Sequence, residues 1–340
     1  RTAGRILLPA LRSEWVIQVE GVVQKRPEGM KNPAITTGEI EIAVVKPEDL
    51  EILAKSETPP FDLAGDGYDI GEEHRLTYRY LDLRRPRLAK NLRARHEMLL
   101  FARNFLSECG FTEIETPILT KSTPEGARDY IVPSRLHHGK FYALPQSPQQ
   151  YKQLLMMAGL EKYFQIARCF RDEDTRGDRQ PEFTQIDIEM SFAEQDDILA
   201  LAEEMYTALI ARLFPEKRVM KISWPRLNYD EVMEKYGTDK PDLRENKNDS
   251  DELAFAWILN FPLFEPTSPP RRSSTNARSS AGLEPSHHMF TAPKEEDVEK
   301  LGSDPRGARS YQHDLVLNGY EVGGGSMRIH DPEAQKKIFD

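Results

Sequence analysis

The chain has 340 residues, of which 39% are hydrophobic and 30% are charged, and its formal net charge is −10 at pH 7. This balance is typical of a globular protein with one large domain and one smaller domain. No apolar run approaches the ~20 residues that a membrane span needs, which excludes a transmembrane protein. The acidic net charge argues mildly against a protein that coats nucleic acid, although it leaves room for a local basic patch.

The two cysteines, Cys109 and Cys169, lie far apart in the sequence and form no CxxC pair. Such spacing favours neither a disulfide framework nor a zinc site. The cysteine content therefore fits a protein of the reducing cytoplasm.

The first part of the chain is predicted to form small β-structure. Residues 15–24 and 39–45 alternate between apolar and polar side chains, which is typical of strands. Residues 50–56 fit either a short helix after Pro47 or another strand. The following stretch, 55–75, is rich in proline, glycine and acidic residues, and it predicts a linker.

A long amphipathic helix is predicted after the linker. Apolar residues recur at helical spacing from Leu88 to Cys109, and Gly110 stands where it can end the helix. The strand TEIETP follows and stops at Pro117. On this pattern alone, the segment is a core helix that leads into an edge strand.

A shorter helix is predicted near the middle of the chain. Ser147 is its candidate N-cap, Pro148 takes the first helical position and Gly159 ends it. Gln149 and Lys152 share one polar face of this helix. A polar helix face usually meets water.

Residues 162–192 predict two strands joined by the charged loop Arg171–Gln180. The second strand alternates with period 2, which places apolar and polar side chains on opposite faces. The apolar face comprises Ile186, Ile188, Met190 and Phe192, and the polar face comprises Gln185, Asp187 and Glu189. The pattern alone predicts an antiparallel hairpin with one face in water.

The C-terminal half is predicted to contain an amphipathic helix at residues 196–213 and a disordered segment at residues 266–286. Near the end of the chain, Asp314 and Glu321 flank the string LVLNGY. Two acidic residues at this spacing do not by themselves indicate a metal site.

Particular strings carry a resemblance to a known family. FRDE, a charged loop and RQPEF resemble motif 2 of the class II aminoacyl-tRNA synthetases. RQPEFTQID, TPEGARDY and LPQSPQQYKQLL are similar to segments of the aspartyl-tRNA synthetases of bacterial and organellar type. The long helix with TEIETP resembles motif 1, which forms the dimer interface in that class. The resemblance covers Arg12 to Phe339, apart from the low-complexity and junction segments.

The resemblance implies an α+β fold, in which an antiparallel class II sheet flanked by helices follows a partial OB-type β-barrel. The domains expected from it are the partial anticodon-binding barrel at 1–54, a linker at 55–78 and the catalytic domain at 79–340. The insertion domain of bacterial members is expected to be absent, because ENKNDSDE leads directly to LAFAWILNFPLFEP. A GLDR-like motif 3 segment is also lacking, so the chain as written is expected to form the adenylate poorly.

The implied function is the ligation of L-aspartate to tRNA(Asp) through an aspartyl-adenylate made from ATP, with Mg²⁺ as the metal. The implied assembly is a homodimer through the motif 1 segment, in the cytoplasm or an organellar matrix and without a membrane partner. The alternative is a catalytically impaired fragment or paralogue that binds tRNA or a partner subunit.

The resemblance also implies roles for individual residues. A guanidinium fork suits both a carboxylate and a phosphate, and Lys152 with Arg328 would form a cationic clip that rejects a neutral isostere of aspartate. The catalytic positions are matched by Arg171, Glu173 and Arg328. The aspartate-binding positions are matched by Glu125, Gln149, Lys152, Arg171, Asp187, His287 and Arg328. The ATP-binding positions are matched by Arg171, Asp172, Glu173, Arg179, Gln180 and Glu321, and the metal-binding positions by Asp314 and Glu321.

Glu321 and Arg328 are seven residues apart, so a regular strand would place them on opposite faces. We expect the Gly323–Gly325 run to supply a bulge or a twist, which would let both side chains reach one pocket.

Overall fold

The computed structural model describes residues 11–123, 125–175, 179–266 and 282–339. The chain divides into two compact units, residues 1–95 and 96–340. In the described part of the chain, no helix has both the length and the apolar character needed to cross a membrane.

The first unit contains two antiparallel strand pairs, in which the first strand pairs with the fourth and the second with the third. A 3₁₀ turn, Pro47–Asp49, precedes the fourth strand. Residues 50–56, for which the sequence allowed either a helix or a strand, therefore form a strand over Leu50–Ala54. The strands are β1 (Val16–Val19), β2 (Val22–Lys25), β3 (Ile40–Ala43) and β4 (Leu50–Ala54).

The residues predicted as a linker contain the helix α1 (Glu72–Thr77), and α2 (Arg79–Asp82) follows it. The buried Arg85 holds the extended part of this segment: its guanidinium donates to the carbonyl oxygens of Gly65 at 2.8 Å and Asp62 at 2.7 Å. Backbone carbonyls that lack a sheet partner are satisfied in this way.

The second unit is built on two sheets that are mostly antiparallel, as expected from the α+β prediction. The three-stranded sheet consists of β5 (Thr112–Glu113), β8 (Lys162–Phe170) and β9 (Glu182–Met190); β5 pairs parallel with β8, and β8 pairs antiparallel with β9. The four-stranded sheet consists, in spatial order, of β11 (Arg226–Asn228), β13 (Phe255–Leu259), β16 (Gln312–Leu317) and β17 (Tyr320–Ser326). Within it, only the β11–β13 pair is parallel.

Smaller strand pairs and the helices complete the second unit, and α3 contains the boundary between the units. The pairs are β6 (Ile131–Pro133) with β7 (Phe141–Ala143), β10 (Arg218–Val219) with β12 (Glu252–Leu253), and β14 (Phe264–Pro266) with β15 (Leu283–Pro285). The α-helices are α3 (Pro86–Glu108), α4 (Gln149–Met157), α5 (Gln195–Leu213), α6 (Tyr229–Tyr236) and α7 (Pro332–Phe339), with 3₁₀ segments at Glu295–Gly302 and Pro305–Gly307.

Helices α3 and α5 pack on the apolar face of the hairpin. Ala102 and Leu106 of α3 and Met205 of α5 form a buried cluster with Phe164 of β8. Ile186, Ile188 and Met190 of β9 pack against this cluster, which confirms the predicted apolar face. Because side chains alternate along a strand, the polar residues of β9 point away from the helices.

Three local predictions are wrong. Phe192 is 96% exposed and has a φ of 55°, so it lies outside β9 and leaves the alternating pattern. Only Thr112–Glu113 of TEIETP pairs as a strand. Ser147 does not cap α4, because its hydroxyl instead donates to Oε2 of Glu125 at 2.7 Å.

The segment predicted to be disordered, 266–286, begins and ends in ordered structure, since Pro266 pairs with Leu283 in the β14–β15 ladder. The prediction for residues 267–281 falls outside the described residues.

Candidate active site

The polar face of β9 forms the floor of the site. Asp187 lies opposite Gln165 and Glu189 lies opposite Tyr163 in the antiparallel register. The two carboxylates are therefore two residues apart on the face away from the apolar cluster. This arrangement follows directly from the period-2 pattern of the sequence.

Helix α4 places an ammonium group between these carboxylates. Nζ of the buried Lys152 lies 2.6 Å from Oδ1 of Asp187 and 2.7 Å from Oε1 of Glu189. Burial alone would lower the pKa of Lys152, but the two negative charges outweigh it and raise the pKa above its usual value. Lys152 is therefore charged at neutral pH, and its helix face does not meet water as the sequence pattern suggested.

Arg328 supplies the second cation. Its guanidinium donates to Oγ of Ser326 at 2.6 Å and to Oε1 of Gln149 at 3.3 Å, and it lies 3.7 Å from Oε1 of Glu189. The side chains of Lys152 and Arg328 thus share one carboxylate, Glu189. Four of the residues predicted to bind aspartate therefore form one connected network: Gln149, Lys152, Asp187 and Arg328.

An aromatic pair lies against Arg328. Its guanidinium carbon is 4.8 Å from the centre of the Phe290 ring, and His288 stacks on the same ring at 4.8 Å with an interplanar angle of 7°. The backbone N–H of Ile329 donates to the Phe290 carbonyl oxygen at 3.0 Å, which fixes the two segments side by side.

Three buried polar atoms of this network have no hydrogen-bond partner in the described part of the chain. They are an acceptor, Oδ2 of Asp187, and two donors, Nε2 of Gln149 and Nε of Arg328. A buried polar group without a partner costs roughly 1–3 kcal/mol. The site is therefore suited to a small ligand that carries both an ammonium donor and carboxylate acceptors.

Glu125 lies on the connection between β5 and β6 and is oriented by two hydroxyl groups. Thr123 donates to its Oε1 at 2.8 Å, and Ser147 donates to its Oε2 at 2.7 Å. The loop itself is held by Gln146, whose amide exchanges two hydrogen bonds of 2.9 Å with the backbone of Ala127. A fixed carboxylate at this position can accept a hydrogen bond from a ligand ammonium.

Arg171 begins the charged loop after β8. Its backbone N–H donates to the carbonyl oxygen of Pro181 at 2.8 Å, and its guanidinium lies 5.1 Å from the centre of the Phe183 ring. The backbone of Asp172 pairs with Arg128, whose Nε donates to the Asp172 carbonyl oxygen at 3.0 Å. The loop is therefore anchored at its start.

Three other residues predicted to bind ATP, Glu173, Arg179 and Gln180, lie further along the same loop. Glu173 and Gln180 are exposed, and the described structure gives their side chains no partner. Arg179 is also exposed, but it reaches Glu321 with an N···O distance of 3.8 Å. Residues 176–178 of the loop fall outside the described residues.

The predicted metal carboxylates come from β16 and β17. Asp314 is buried and accepts a hydrogen bond from Nε2 of Gln312 at 2.8 Å. Burial, and then the nearby charge of Glu321, raise the pKa of Asp314 to about 7. Glu321 accepts a 2.8 Å hydrogen bond from Nζ of Lys240. In the described part of the chain, no three His, Cys, Asp or Glu side chains cluster closely enough to hold a metal by themselves.

A bulge is present, but it lies at Val322, one residue before the glycine run that was expected to supply it. Leu315 pairs with Gly323 but Val316 pairs with Glu321, so Val322 has no partner on β16. The strand then ends at Ser326, before Arg328. The bulge and the end of the strand together remove the face conflict between Glu321 and Arg328.

The two adjacent histidines have different surroundings. His287 packs edge-on against Phe261 at 5.0 Å, and its pKa is lowered by burial, although the charges of Glu321 and Asp239 oppose this shift. Burial, followed by the positive charge of Arg328, lowers the pKa of His288 to about 4. His288, rather than the predicted His287, therefore adjoins the cationic side of the site.

The sequence analysis assigned no role to four residues of this site. Glu189 was placed on the correct strand face by the period-2 pattern, which was the signal that could have found it. Ser326, His288 and Phe290 come together only through the pairing of two separate segments, and local spacing gives no signal for that.

A family model described as tRNA synthetases class II (D, K and N) matches residues 71–340. The chain belongs to this family. Its membership agrees with the resemblance of the hairpin, the α4 segment and the C-terminal strands to class II motifs.

Individual relatives of this class II synthetase agree with the family match. The Aspartate--tRNA(Asp/Asn) ligase of Desulfatibacillum aliphaticivorans is 40% identical over 460 positions, covering 98% of this chain and 74% of the relative. The Aspartate--tRNA(Asp/Asn) ligase of Rubrobacter xylanophilus is 40% identical over 452 positions, covering 97% of this chain and 73% of the relative. These alignments are longer than the 340-residue chain, which confirms that the relatives carry internal residues without a counterpart here.

The fold is also that of solved class II synthetases. The asparaginyl-tRNA synthetase of Pyrococcus horikoshii, solved in complex with asparaginyl-adenylate, superposes with a TM-score of 0.67 at 21% identity. The superposition covers 96% of this class II synthetase and 70% of that chain.

Proposed function

We propose that this class II synthetase activates L-aspartate with ATP and transfers the aspartyl group to tRNA(Asp). The relatives that are 40% identical carry the name of this activity. The observation that carries the assignment to this chain is the network of Lys152, Arg328 and three unpartnered buried polar atoms.

The network matches the charges of aspartate. An ammonium group has three N–H donors, and Lys152 uses two of them for Asp187 and Glu189. The third donor and Nε of Arg328 are available for the side-chain carboxylate of the substrate. Oδ2 of Asp187 and the carboxylate of Glu125 are available as acceptors for the substrate ammonium.

The same charges discriminate against asparagine. A neutral amide satisfies Nε of Arg328 and the third N–H of Lys152 less well than a carboxylate does, because the carboxylate forms charge-assisted hydrogen bonds with both cations. Sites of this kind reject the uncharged analogue strongly, because the penalty falls on groups that are already desolvated.

Activation joins the α-carboxylate of aspartate to the α-phosphorus of ATP. The carboxylate oxygen supplies the electron pair for the new P–O bond, and pyrophosphate leaves with the pair of the bond that breaks. The reaction needs alignment and charge neutralisation rather than a covalent catalyst. Arg171 would serve this role, because a planar fork can donate to a carboxylate and a phosphate at once.

Asp314 and Glu321 are the residues that would hold Mg²⁺. Their oxygens are the hard ligands that this ion prefers, and a bound cation would oppose the effect of burial and of the Glu321 charge, which together raise the pKa of Asp314. Magnesium is usually bound by one or two carboxylates together with phosphate oxygens and water, so two protein ligands suffice. The bound ion neutralises charge on the phosphates of ATP.

Two measurements test the proposed function. Pyrophosphate exchange should depend on L-aspartate and stay at background with L-asparagine, and aspartate should become acid-precipitable in the presence of tRNA(Asp). Equal exchange with both amino acids would contradict the cationic clip. Binding of tRNA without either reaction would instead favour an impaired paralogue that serves as a binding module.

A further inference from the structure

A pocket in the first unit is lined by three arginines and is separate from the site described above. The pocket has a volume of about 280 Å³, and Arg75, Arg79 and Arg87 border it together with Tyr68 and Glu72. Three guanidinium groups against one carboxylate leave the lining positively charged. Arg75 and Arg79 lie on α1 and α2, and Arg87 lies at the start of α3.

Two of these arginines, Arg75 and Arg79, are held in place by the buried Asp82, which also contacts Arg85. Asp82 is fully buried, and its two oxygens meet Arg79 at 2.7 Å, Arg85 at 2.9 Å and Arg75 at 3.6 Å. Although burial opposes ionisation, these cations lower the pKa of Asp82 below its usual value. One carboxylate cannot neutralise three guanidinium groups, so the cluster keeps a net positive charge.

Arg87 is the least satisfied of the three arginines. Its Nη2 donates to the carbonyl oxygen of Asp66 at 3.3 Å, whereas its buried Nε has no hydrogen-bond partner in the described part of the chain. A buried charged donor without an acceptor is costly, and an oxyanion in the pocket would remove that cost.

Tyr68 adds an aromatic surface at the rim of the pocket. Its ring lies 4.5 Å from the guanidinium carbon of Arg87, and 72% of the residue is exposed. An exposed ring beside a cationic pocket can bind a nucleotide unit, with the phosphate in the pocket and a base or sugar against the ring. An acidic peptide would use the arginines but would give the ring no comparable role.

The geometry points to this pocket as a docking site for one phosphodiester group of a tRNA, with Arg75, Arg79 and Arg87 as donors and Tyr68 as a stacking surface. This inference rests on the proposed function for the identity of the RNA. A phosphate oxygen has several lone pairs and can accept from more than one guanidinium, which suits three converging forks.

The test compares tRNA(Asp) binding by the full chain and by single variants, using fluorescence anisotropy at several salt concentrations. Arg87→Gln should weaken binding at least about tenfold, which is the loss expected for a charge-assisted hydrogen bond. It should also lower the slope of log K against log salt by about one. Arg79→Gln should also weaken tRNA binding and lower the salt slope. Because the Arg79 side chain is 44% exposed, this variant provides a second test if Arg87→Gln impairs folding.

Two further variants separate the contributions. Tyr68→Ala should weaken tRNA binding and leave the salt slope unchanged, because stacking releases no counterion. Lys247→Gln removes an equal charge from an exposed position outside both the pocket lining and the motif 1 segment, and it should leave both quantities close to those of the unaltered chain. Thermal unfolding of each variant checks that the fold is intact.

Inorganic phosphate distinguishes the two sources of the same chemistry. If ³¹P NMR shows that Arg87→Gln abolishes phosphate binding while tRNA affinity and salt slope are unchanged, the pocket serves a free phosphate and the inference is overturned. Unchanged tRNA binding in both arginine variants also overturns it. Because binding is measured without catalysis, failure of aspartate activation would refute the proposed function and leave this test valid.

Discussion

Under the proposed function, we expect selection of aspartate to depend most directly on Lys152, whose ammonium is buried between two carboxylates. Lys152→Met removes a charge-assisted contact, and we expect aspartate binding to weaken by ~1.5–3 kcal/mol. ATP binding should barely change, and calorimetry of both ligands checks this. Lys235→Met, on the separate helix α6, is the matched control, and an equal loss for aspartate and ATP would contradict the assignment.

Phe290 is expected to position Arg328 through the stacked guanidinium. Phe290→Leu keeps an apolar side chain but removes the π-face, and aspartate affinity should fall by about 0.5–2 kcal/mol. Phe290→Tyr retains the ring and should restore most of that affinity. The same calorimetric titration applies, and a loss that tyrosine fails to rescue would show that the site needs the size of phenylalanine rather than its aromatic face.

Asp314 gives the site a pH dependence whose sign is fixed by its raised pKa of about 7. The folded protein holds this proton more tightly than the unfolded chain does, so the stability of the fold falls as pH rises from about 4 and levels off above about 7. Asp314→Asn removes this loss and should be more stable at pH 8 by up to roughly 4 kcal/mol.

Urea denaturation from pH 5 to pH 8.5 measures the effect of Asp314→Asn. The advantage of the variant should shrink as the pH falls, and an advantage that is constant with pH would argue against titration of Asp314. Glu299→Gln makes the same acid-to-amide change at an exposed position and should leave the pH profile unaltered.

The glycine run of β17 is an element whose three residues have different neighbours. A Cβ on Gly324 would lie 2.8 Å from Oδ1 of Asp314, whereas a Cβ on Gly323 would meet only Cβ of Leu315 at 3.8 Å. We therefore expect Gly324→Ala to destabilise the fold by about 1–3 kcal/mol, because the buried carboxylate has to move.

Gly323→Ala is the matched control for this element and should change the free energy of unfolding by less than about 0.5 kcal/mol. Chemical denaturation of both variants decides the question. Equal stability of the two variants would mean that Asp314 has room to shift, and that the close approach of β17 to β16 does not constrain its carboxylate.

At the scale of the whole molecule, we expect a symmetric dimer through the motif 1 segment. Leu100 of α3 is 43% exposed, and Ile118 and Leu119, just after TEIETP, are also exposed. An exposed apolar surface on one segment is typical of an interface between copies. Light scattering at micromolar concentration should give twice the mass of one chain.

Charge substitutions test which surface forms the dimer. Leu100→Glu combined with Leu119→Glu should produce a monomer. Ile222→Glu is the control: Ile222 is 86% exposed but lies outside the motif 1 segment, so this variant should keep the mass of the dimer. A monomeric unaltered chain at this concentration would rule out the predicted assembly.

The elements that carry the site were predictable from the sequence because local patterns determine them. Period-2 alternation placed Asp187 and Glu189 on one face of β9, opposite the apolar residues that pack against α3 and α5. The spacing conflict between Glu321 and Arg328 predicted a bulge, and one is present at Val322. Each of these follows from backbone geometry over a few residues.

Local pattern failed where a neighbour distant in sequence competes for a group. Ser147 has the chemistry of an N-cap, but its hydroxyl bonds to Glu125 instead. The polar face of α4 should meet water by pattern, yet it is buried because Asp187, Glu189 and Arg328 provide partners from two other segments. Propensity cannot anticipate such partners, since the energies of long-range ion pairs exceed local preferences.

The sequence by itself therefore determined the family motifs, the strand faces and the residue types available for binding aspartate and ATP. Only the tertiary structure decided that Lys152 is charged although buried, that His288 rather than His287 adjoins Arg328, and that Phe290 supports the guanidinium. The reason is physical: a pKa and a stacking contact depend on which segments meet in space, and the segments that meet here are 35 or more residues apart in the sequence.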